Sequence, residues 1–365
     1  MVARRNCRYW GIAVLIWTGC QGQPPAPAKP PSLPAAESGT SVALRVLVVN
    51  DVPLAEAIGR LRGEWREVSG GELTAASKPW SEVIAAHPLD ADLIIFPTRY
   101  MGELCTRGWL RPVRKSVLED ESLEFADFFP LVRRQLITWG GAVMALPLCI
   151  DLPGVDPTRS SVNYLNFLER AAPHIASRDR VGALFDPDTM KPRITEPAFV
   201  EAMKDFEERP SDGRIFDRVP LLGVGDRLAA VTTSTKNAAS AFQLLSWLAG
   251  ADVSSQLAPT SSGMPVRRSL LSSSKWYRIK LDAREQGELG DALEGELFLM
   301  IPRIPGADEY LAALDEAVHA TGRAETTKAA ERLQQAAEKW EKITDAHGRK
   351  AQREACLKDL GIGEP

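Results

Sequence analysis

Residues 90–112 read DADLIIFPTRYMGELCTRGWLRP and carry the clearest structural signal in the chain. The run Leu93–Phe96 is short and wholly apolar, with two adjacent isoleucines, which is typical of a strand buried on both faces. The proline that follows cannot donate to a sheet and ends the strand, and Thr98 is predicted to cap a helix over residues 100–106. In open α/β sheets, the loop that leaves the carboxyl end of a strand holds ligands. The loop 97–100 is therefore predicted to form a binding surface.

The segments before this stretch alternate between strand and helix patterns. Residues 42–49 (VALRVLVV) form a nearly continuous β-branched run typical of a strand, and residues 54–68 repeat apolar side chains at helical spacing. A second strand over residues 72–76 and a helix over residues 81–87 follow. This alternation predicts βαβ units, an α/β fold and a mainly parallel sheet.

Both kinds of element recur to the end of the chain. Helices are predicted over residues 128–139, 162–172, 197–208, 237–249, 308–319 and 324–358. Strands or extended segments are predicted over residues 140–150, 219–224, 228–232, 263–271 and 298–306.

The composition is that of a globular protein. The 365 residues, 44% of them apolar, are enough for two domains. The formal net charge is −4, and basic and acidic side chains are mixed along most of the chain. A nucleic-acid-binding surface needs basic residues in excess, so the composition argues against nucleic acid as a partner.

Residues 1–20 are predicted to be a lipoprotein signal peptide. Arg4, Arg5 and Arg8 precede an apolar core that is too short to span a membrane as a stable helix. The segment ends at Gly19-Cys20, and a small residue before a cysteine resembles the bacterial lipobox, in which the cysteine is acylated. Cys20 is therefore predicted to carry the lipid that holds the protein in the bacterial cell envelope. A simple secretory signal with an incidental cysteine is the alternative.

Residues 21–41 are predicted to be a proline-rich linker. The prolines are Pro24, Pro25, Pro27, Pro30, Pro31 and Pro34. Such a run forms an extended, semi-rigid spacer and not a packed element. A tethered domain needs a spacer, which strengthens the prediction of a lipid anchor.

The familiar motifs for catalysis, metals and cofactors are missing. The four histidines are scattered, and the chain has no HExxH, GxSxG, P-loop or paired-cysteine motif. Cys105, Cys149 and Cys356 are expected to be small buried hydrophobes, although a disulfide between the first two stays open. The chain is therefore expected to be no enzyme and to hold no metal or cofactor.

Polar and aromatic side chains recur at the ends of the predicted strands. They are Asn50, Asp51, Lys78, Trp80, Thr98, Arg99, Tyr100, Asp151, Asp226, Arg227, Arg303 and Tyr310. Turns are polar in most proteins, which is the alternative explanation for any single residue. Recurrence at strand ends favours a ligand site.

Several stretches carry a family resemblance. They are LRVLVVNDVPLAEAIGRLRGEWREVSG (44–70), DADLIIFPTRYMGELCTRGWLRPV (90–113), GGAVMALPLCID (140–151), LLGVGDRLAAVTTSTKNAASAFQLLSWLAG (221–250) and GMPVRRSLL (263–271). Together with the closing helices they cover most of residues 42–350. They resemble the bacterial extracellular solute-binding proteins of family 1, which serve ABC sugar importers.

The resemblance implies a type II periplasmic-binding-protein-like fold, with two α/β lobes joined by hinge crossings and a ligand held between them. Lobe 1 would take residues 42–149 and 227–280, lobe 2 would take 152–223 and 281–350, and 351–365 would form a C-terminal tail. The stretch 140–151 leads to the first crossing between the lobes, and the stretch 221–250 contains the second. Only a short segment lies between Asp151 and Gly223, so lobe 2 is predicted to be shortened. The residues assigned to the ligand are Asn50, Asp51, Trp80, Pro97, Thr98, Arg99, Tyr100, Asp151, Gly223, Asp226, Arg227, Gly306 and Tyr310.

The implied function is that of a lipid-anchored, monomeric substrate-binding protein that captures a small solute, with a carbohydrate as the leading candidate. Its partners would be the solute, an ABC permease and the membrane. Ligand would shift the lobes toward the closed state that a transporter recognises. One alternative is a degenerate scaffold that docks a protein partner. A surface hydrolase using Asp51, Asp151 and Asp226 is the other.

Overall fold

The computed structural model of the chain describes residues 42–86, 88–151, 163–175, 182–208, 219–261, 263–319 and 329–362. Residues Ala36–Pro365 form one compact unit. The predicted signal peptide, the lipid-attachment Cys20 and the linker 21–41 lie outside the described residues and stay predictions. None of the helices in the described ranges has the length and apolar character that a membrane span requires.

A five-stranded sheet is the centre of the first lobe. The strands of the described residues are β1 (Ala43–Val49), β2 (Glu72–Lys78), β3 (Leu93–Phe96), β4 (Thr138–Trp139), β5 (Ala142–Val143), β6 (Leu146–Cys149), β7 (Leu221–Leu222), β8 (Arg227–Val231) and β9 (Leu299–Met300). The order in the sheet is β2-β1-β3-β8-β6, with β1 parallel to β2 and β3. Strand β8 runs antiparallel to both of its neighbours. The sheet is therefore mixed: two of its four strand pairs are parallel and two are antiparallel, so the prediction of a mainly parallel sheet is confirmed only for β1, β2 and β3.

Helices cover the sheet and build the rest of the fold. They are α1 (Val52–Arg60), α2 (Arg62–Ser69), α3 (Trp80–Ala85), α4 (Met101–Thr106), α5 (Lys115–Leu118), α6 (Asn163–Ile175), α7 (Pro197–Glu208), α8 (Ala238–Ala249), α9 (Ala251–Leu257), α10 (Arg268–Ser273), α11 (Lys275–Lys280), α12 (Ala283–Glu294), α13 (Ala307–His319), α14 (Ala329–Ala346) and α15 (Arg349–Asp359).

Strand β3 is buried on both faces, as its apolar sequence predicts. It pairs with β1 on one side and with β8 on the other, so it is an interior strand of the sheet, and all four of its side chains are buried. The predicted capping role of Thr98 is wrong. The Thr98 hydroxyl donates to Asp226 instead, and a 3₁₀ turn over Thr98–Tyr100 separates the strand from α4.

The predicted helix over residues 128–139 is shorter in the structure. Helical residues run from 130 to 136, with a π-helical turn over Val132–Leu136, and the chain then enters the β4–β5 hairpin. Gly140 and Gly141 form the hairpin turn with φ of 58° and 78°, a left-handed conformation that glycine adopts without a steric penalty. The predicted strand over residues 140–150 is therefore divided into β5 and β6.

Other long predicted elements are interrupted in the structure. The helix predicted over residues 54–68 divides into α1 and α2 at Leu61. The helix predicted over residues 324–358 divides into α14 and α15 at Gly348, whose φ is 84°. The end of the predicted extended segment 263–271 belongs to α10.

The predicted C-terminal tail is largely a packed helix. Helix α15 contacts α4, β4 and α14, and it buries Gln352, Ala355 and Cys356. The predicted boundary at residue 280 places α12 in lobe 2 and α10 in lobe 1. In the structure α12 packs directly on α10, and Arg268 of α10 forms an ion pair with Glu294 of α12.

We call the elements around the five-stranded sheet the first lobe, and those around the parallel pair β7–β9 the second lobe. Helix α6 packs on α7 and α13, and α13 packs on α14. An aromatic cluster lies between these helices, in which the rings of Phe185 and Trp340 stack with centroids 4.9 Å apart. This cluster is the core of the second lobe.

Candidate functional site

The predicted site residues meet at one edge of the five-stranded sheet. Asn50 and Asp51 follow β1, while the turn Thr98–Tyr100 follows the parallel neighbour β3. Strand β8 is antiparallel, so its first residues lie at this same edge: Arg227 pairs with Cys149, the last residue of β6. The reversed strand therefore brings the second interlobe crossing to the loops that the sequence singled out.

Asn50 joins three of these elements. Its backbone has a φ of 54°, in the left-handed region that asparagine tolerates better than most residues. The side-chain Oδ1 accepts the Trp80 amide at 2.9 Å, and Nδ2 lies 3.4 Å from the Tyr100 hydroxyl. Asn50 thereby aligns the start of α3 with the loop after β3.

Trp80 and Tyr100 form an aromatic platform. Their rings stack with centroids 3.9 Å apart and planes only 10° from parallel. The guanidinium carbon of Arg99 lies 4.8 Å from the Tyr100 centroid, within cation–π range. Trp80 remains half-buried, so it is the accessible part of the platform.

A carboxylate from the second lobe completes this cluster. Asp308, in the first turn of α13, accepts the Arg99 Nε at 2.8 Å through one oxygen and the Tyr100 hydroxyl at 2.8 Å through the other. Burial raises the pKa of Tyr100 to about 12, and the hydrogen bond to Asp308 acts in the same direction. Tyr100 is therefore a hydroxyl donor at physiological pH.

Asp226 ties the two crossings to the sheet. One of its oxygens accepts the Asp151 amide at 2.8 Å, and the other accepts the Gly223 amide at 2.9 Å and the Thr98 hydroxyl at 3.2 Å. Its side chain is fully buried, and this burial raises its pKa to about 7 although the three donors oppose the shift. Gly225 lets the crossing strands approach, since a Cβ there would lie 2.1 Å from the Asp151 carboxylate.

The nearby Asp51 and Arg227 neutralise each other. Asp51 caps α1 by accepting the Leu54 amide at 3.0 Å, and its second oxygen accepts the Arg227 Nε at 2.9 Å. Arg227 also donates to the Gly225 carbonyl at 2.7 Å. This pair leaves little net charge at the crossing.

The structure does not bring Tyr310 to the cluster. Tyr310 is fully buried in the core of the second lobe, where its hydroxyl lies 3.0 Å from the Thr344 hydroxyl. Its predicted place facing the ligand is therefore wrong, because its helical position points it at Trp340, 5.5 Å away between ring centroids. Gly306 contacts His347, since a Cβ on this glycine would lie 2.6 Å from the imidazole Nε2.

Asp308 lies inside the range 306–310 that the resemblance assigns to the cleft, in the acidic first turn of α13, although it was not named as a ligand residue. Tyr164 lies outside every range assigned to the ligand. Tyr164, near the start of α6, is close enough to Arg99 to interact with it electrostatically. No motif surrounds Tyr164, so the sequence carried no comparable signal for it.

The structure also bears on the cysteines, on metal binding and on cavities outside the platform. Cys105, Cys149 and Cys356 are free thiols, so the disulfide that the sequence left open does not form. Within the described ranges, no group of acidic, histidine or cysteine side chains has the geometry to hold a metal ion. A cavity of about 130 Å³ lies away from the platform, between the residues around β9 and α15, and its lining includes Phe185, Met300 and Arg303.

Comparison with solved structures supports the fold. A cyclo/maltodextrin-binding protein complexed with maltotetraose superposes with a TM-score of 0.61 and 15% identity, covering 85% of this chain and 99% of that one. The sugar-binding protein MalE from Xanthomonas citri gives 0.60 and 14%, covering 84% and 99%. An ABC transporter solute-binding protein from Thermotoga lettingae bound with α-D-tagatose gives 0.59 and 15%, covering 83% and 100%. No protein-family model and no curated protein matches the chain.

These similarities confirm the predicted fold class. The chain has the type II periplasmic-binding-protein fold of the maltose-binding type over most of its length.

Proposed function

We propose that this protein is the solute-binding component of an ABC importer and that it captures a small uncharged carbohydrate or polyol between its lobes. The observation that carries the proposal is the Trp80–Tyr100 platform, which lies where the two lobes meet on a fold of the maltose-binding type. Solved structures with this fold are described with maltotetraose, α-D-tagatose and D-mannitol.

The chemistry of the platform suits a polyhydroxylated ligand. An aromatic face packs against the C–H groups of a sugar ring, and the few polar groups around it orient the hydroxyls. Asn50 supplies an amide, and Arg99 and Asp308 supply a charged donor and acceptor from opposite lobes. A solute that touches both lobes stabilises their closed arrangement over the open one.

The proposal includes the anchor and the partners. The lipid on Cys20 and the spacer 21–41 would hold the protein in the bacterial cell envelope, on the exported side. An ABC permease would receive the closed form. The proposal keeps the boundaries between the two lobes at residues 149, 223 and 227. Helix α15 belongs to the folded part of the protein and not to a tail.

The structure gives little support to a hydrolase. Asp226 is fully buried with three hydrogen-bond donors, and Asp51 is held by Arg227. A general acid or base has to reach the proton that it transfers, and these carboxylates face other residues of the chain. The second candidate is a scaffold that docks a protein partner without binding solute. It is kept because most polar groups of the site already pair with one another and are not free to bind a solute.

A panel of sugars and polyols in a thermal-melt assay tests the proposal. A ligand that binds only the native state at a hundredfold excess over its Kd stabilises the protein by about 2.7 kcal/mol. We expect at least one member to raise the Tm of the wild-type protein and to lose this effect with Trp80→Ala.

Trp247→Ala is the matched control. Trp247 is also half-buried in the first lobe, but it packs on Trp65 at 5.3 Å, away from the platform. The control should lower the Tm and keep the ligand-induced shift. A complete panel without any shift in the wild type would contradict solute binding and favour the docking scaffold.

A further inference from the structure

The contacts of Asp308 join the two lobes through the protein's own side chains. Arg99 and Tyr100 follow β3 in the first-lobe sheet, while Asp308 belongs to α13, which packs on α6 and α14 in the second lobe. Arg99 also donates to the Val224 carbonyl of the second crossing at 3.2 Å. These contacts therefore connect the loop after β3 directly to α13 and to the second crossing.

The geometry of the contact is well defined. Each Asp308 oxygen has its own donor at 2.8 Å, one cationic and one phenolic. Stacking on Trp80 holds the Tyr100 ring in place. Burial lowers the pKa of Arg99, but Tyr100 and Asp308 more than offset it, so that the net shift is upward and the guanidinium stays charged. Asp308 also places a negative charge at the amino end of α13, where the helix dipole favours it.

A second set of contacts between the lobes, around Arg303, is buried. The Gly102 amide donates to the Arg303 carbonyl at 2.9 Å, and the buried Arg303 side chain donates to Asp359 at 2.7 Å and to the Leu136 carbonyl at 2.8 Å. Breaking a buried ion pair is costly, whereas water can replace the partners of an exposed one. The Asp308 side chain is 49% exposed and that of Arg99 is 22% exposed, so water can replace the partners of this pair more readily than those of the buried Arg303.

We propose that Arg99, Tyr100 and Asp308 form a latch that holds the lobes closed without solute. The proposal rests on the proposed function only in assuming that the lobes open and close around a site. A solute that uses the platform has to displace Asp308 from its two donors. Apparent affinity is then reduced by the fraction of protein that is latched, and loosening the latch strengthens binding.

Pulsed dipolar EPR on the solute-free, full-length protein tests the latch. Spin labels on Glu56→Cys in α1 and Glu331→Cys in α14 report the separation of the lobes from two exposed positions. A sample without the introduced cysteines measures any labelling of the native thiols. We expect one short distance in the wild type, and a longer population in Asp308→Asn as the closed-to-open ratio falls about tenfold, which corresponds to about 1.4 kcal/mol.

Glu309→Gln is the matched control. It removes a carboxylate from the same helical turn, but Glu309 pairs with His347 inside the second lobe at 2.7 Å. The control should keep the wild-type distance. Tyr100→Phe removes one of the two donors and keeps the stacked ring, so it provides a second variant if circular dichroism shows that Asp308→Asn does not fold.

The outcomes separate the latch from the proposed function. A solute-free wild type that is already open overturns the latch, as does an unchanged distance in every folded latch variant. If a sugar shifts the Tm while the distances do not change, the latch fails and solute binding stands. If the distances change but no solute binds, the latch stands and the proposed function fails.

Discussion

Replacing Asp226 with asparagine should make the stability of this protein less sensitive to pH. The Asp226 carboxylate is fully buried between the two crossings, and burial is the main cause of a pKa raised from 3.8 to about 7. The charge of Asp151 adds to this shift, while the donors on Asp151, Gly223 and Thr98 reduce it. Asparagine has a similar shape and cannot ionise.

The size of the effect follows from proton linkage. Between the unfolded pKa and the folded pKa, the native state holds a proton that the unfolded chain has lost, so stability falls as pH rises. Above a folded pKa of about 7, both states are ionised and the dependence ends. From pH 5 to pH 8 the wild type therefore loses about 3 kcal/mol of stability through this group, because each unit of pKa shift corresponds to about 1.36 kcal/mol.

Urea denaturation of both proteins at pH 5 and pH 8 measures this effect. The amide of Asp226→Asn has to point its NH₂ group at a backbone donor, which costs about 1–3 kcal/mol at either pH. This cost is the same at both pH values. The stability difference between the variant and wild type should therefore shift by about 3 kcal/mol in favour of the variant between pH 5 and pH 8.

Asp186→Asn is the control for the pH series. Hydrogen bonds from Thr189 lower the pKa of Asp186, with a further contribution from Arg193, so its carboxyl titrates below this pH window. Its stability difference from wild type should therefore be the same at pH 5 and pH 8. An equally constant difference for Asp226→Asn would refute the argument from burial.

Two further predictions concern the packing of α4 against Arg303 and the place of Tyr310 outside the ligand site. Gly102→Ala would place a Cβ 2.0 Å from the Arg303 carbonyl, so we expect a loss of about 3 kcal/mol in urea denaturation, while Gly59→Ala, with open space around it, should gain about 1 kcal/mol. An equal effect of the two alanines would contradict the close approach of α4 to Arg303. Tyr310→Phe should cost about 1 kcal/mol by removing the hydroxyl contact with Thr344. It should leave any solute-induced Tm shift unchanged, and a lost shift would return Tyr310 to the ligand site.

Apolar patterning was sufficient to predict the central strands and most helices. Strands β1 and β3 lie where continuous or β-branched apolar runs predict them, because such runs have to be shielded from water whatever their neighbours are. Interruptions were harder to foresee. The hairpin at Gly140 and the break at Gly348 depend on single left-handed residues, which periodicity over a longer window does not register.

The composition of the site was partly predictable, and its connections were not. Asn50, Asp51 and the turn Thr98–Tyr100 could be assigned to one sheet edge because they follow parallel strands. Asp226 joins them because β8 is reversed, which brings its first residues to the carboxyl ends of its neighbours. Strand direction depends on how the chain crosses between lobes, and no local pattern records it.

Tyr310 and Asp308, which lie in one helical turn, show the same difference between what the sequence predicts and what tertiary packing decides. Both belong to the polar stretch at the start of α13, yet packing places Tyr310 against Trp340 and leaves Asp308 to meet Arg99 from the other lobe. The tendency of an apolar segment to be buried depends on its own composition, so it can be predicted from the local sequence. A hydrogen bond needs two groups within about 3 Å, and elements more than two hundred residues apart meet only through the packing of the whole molecule.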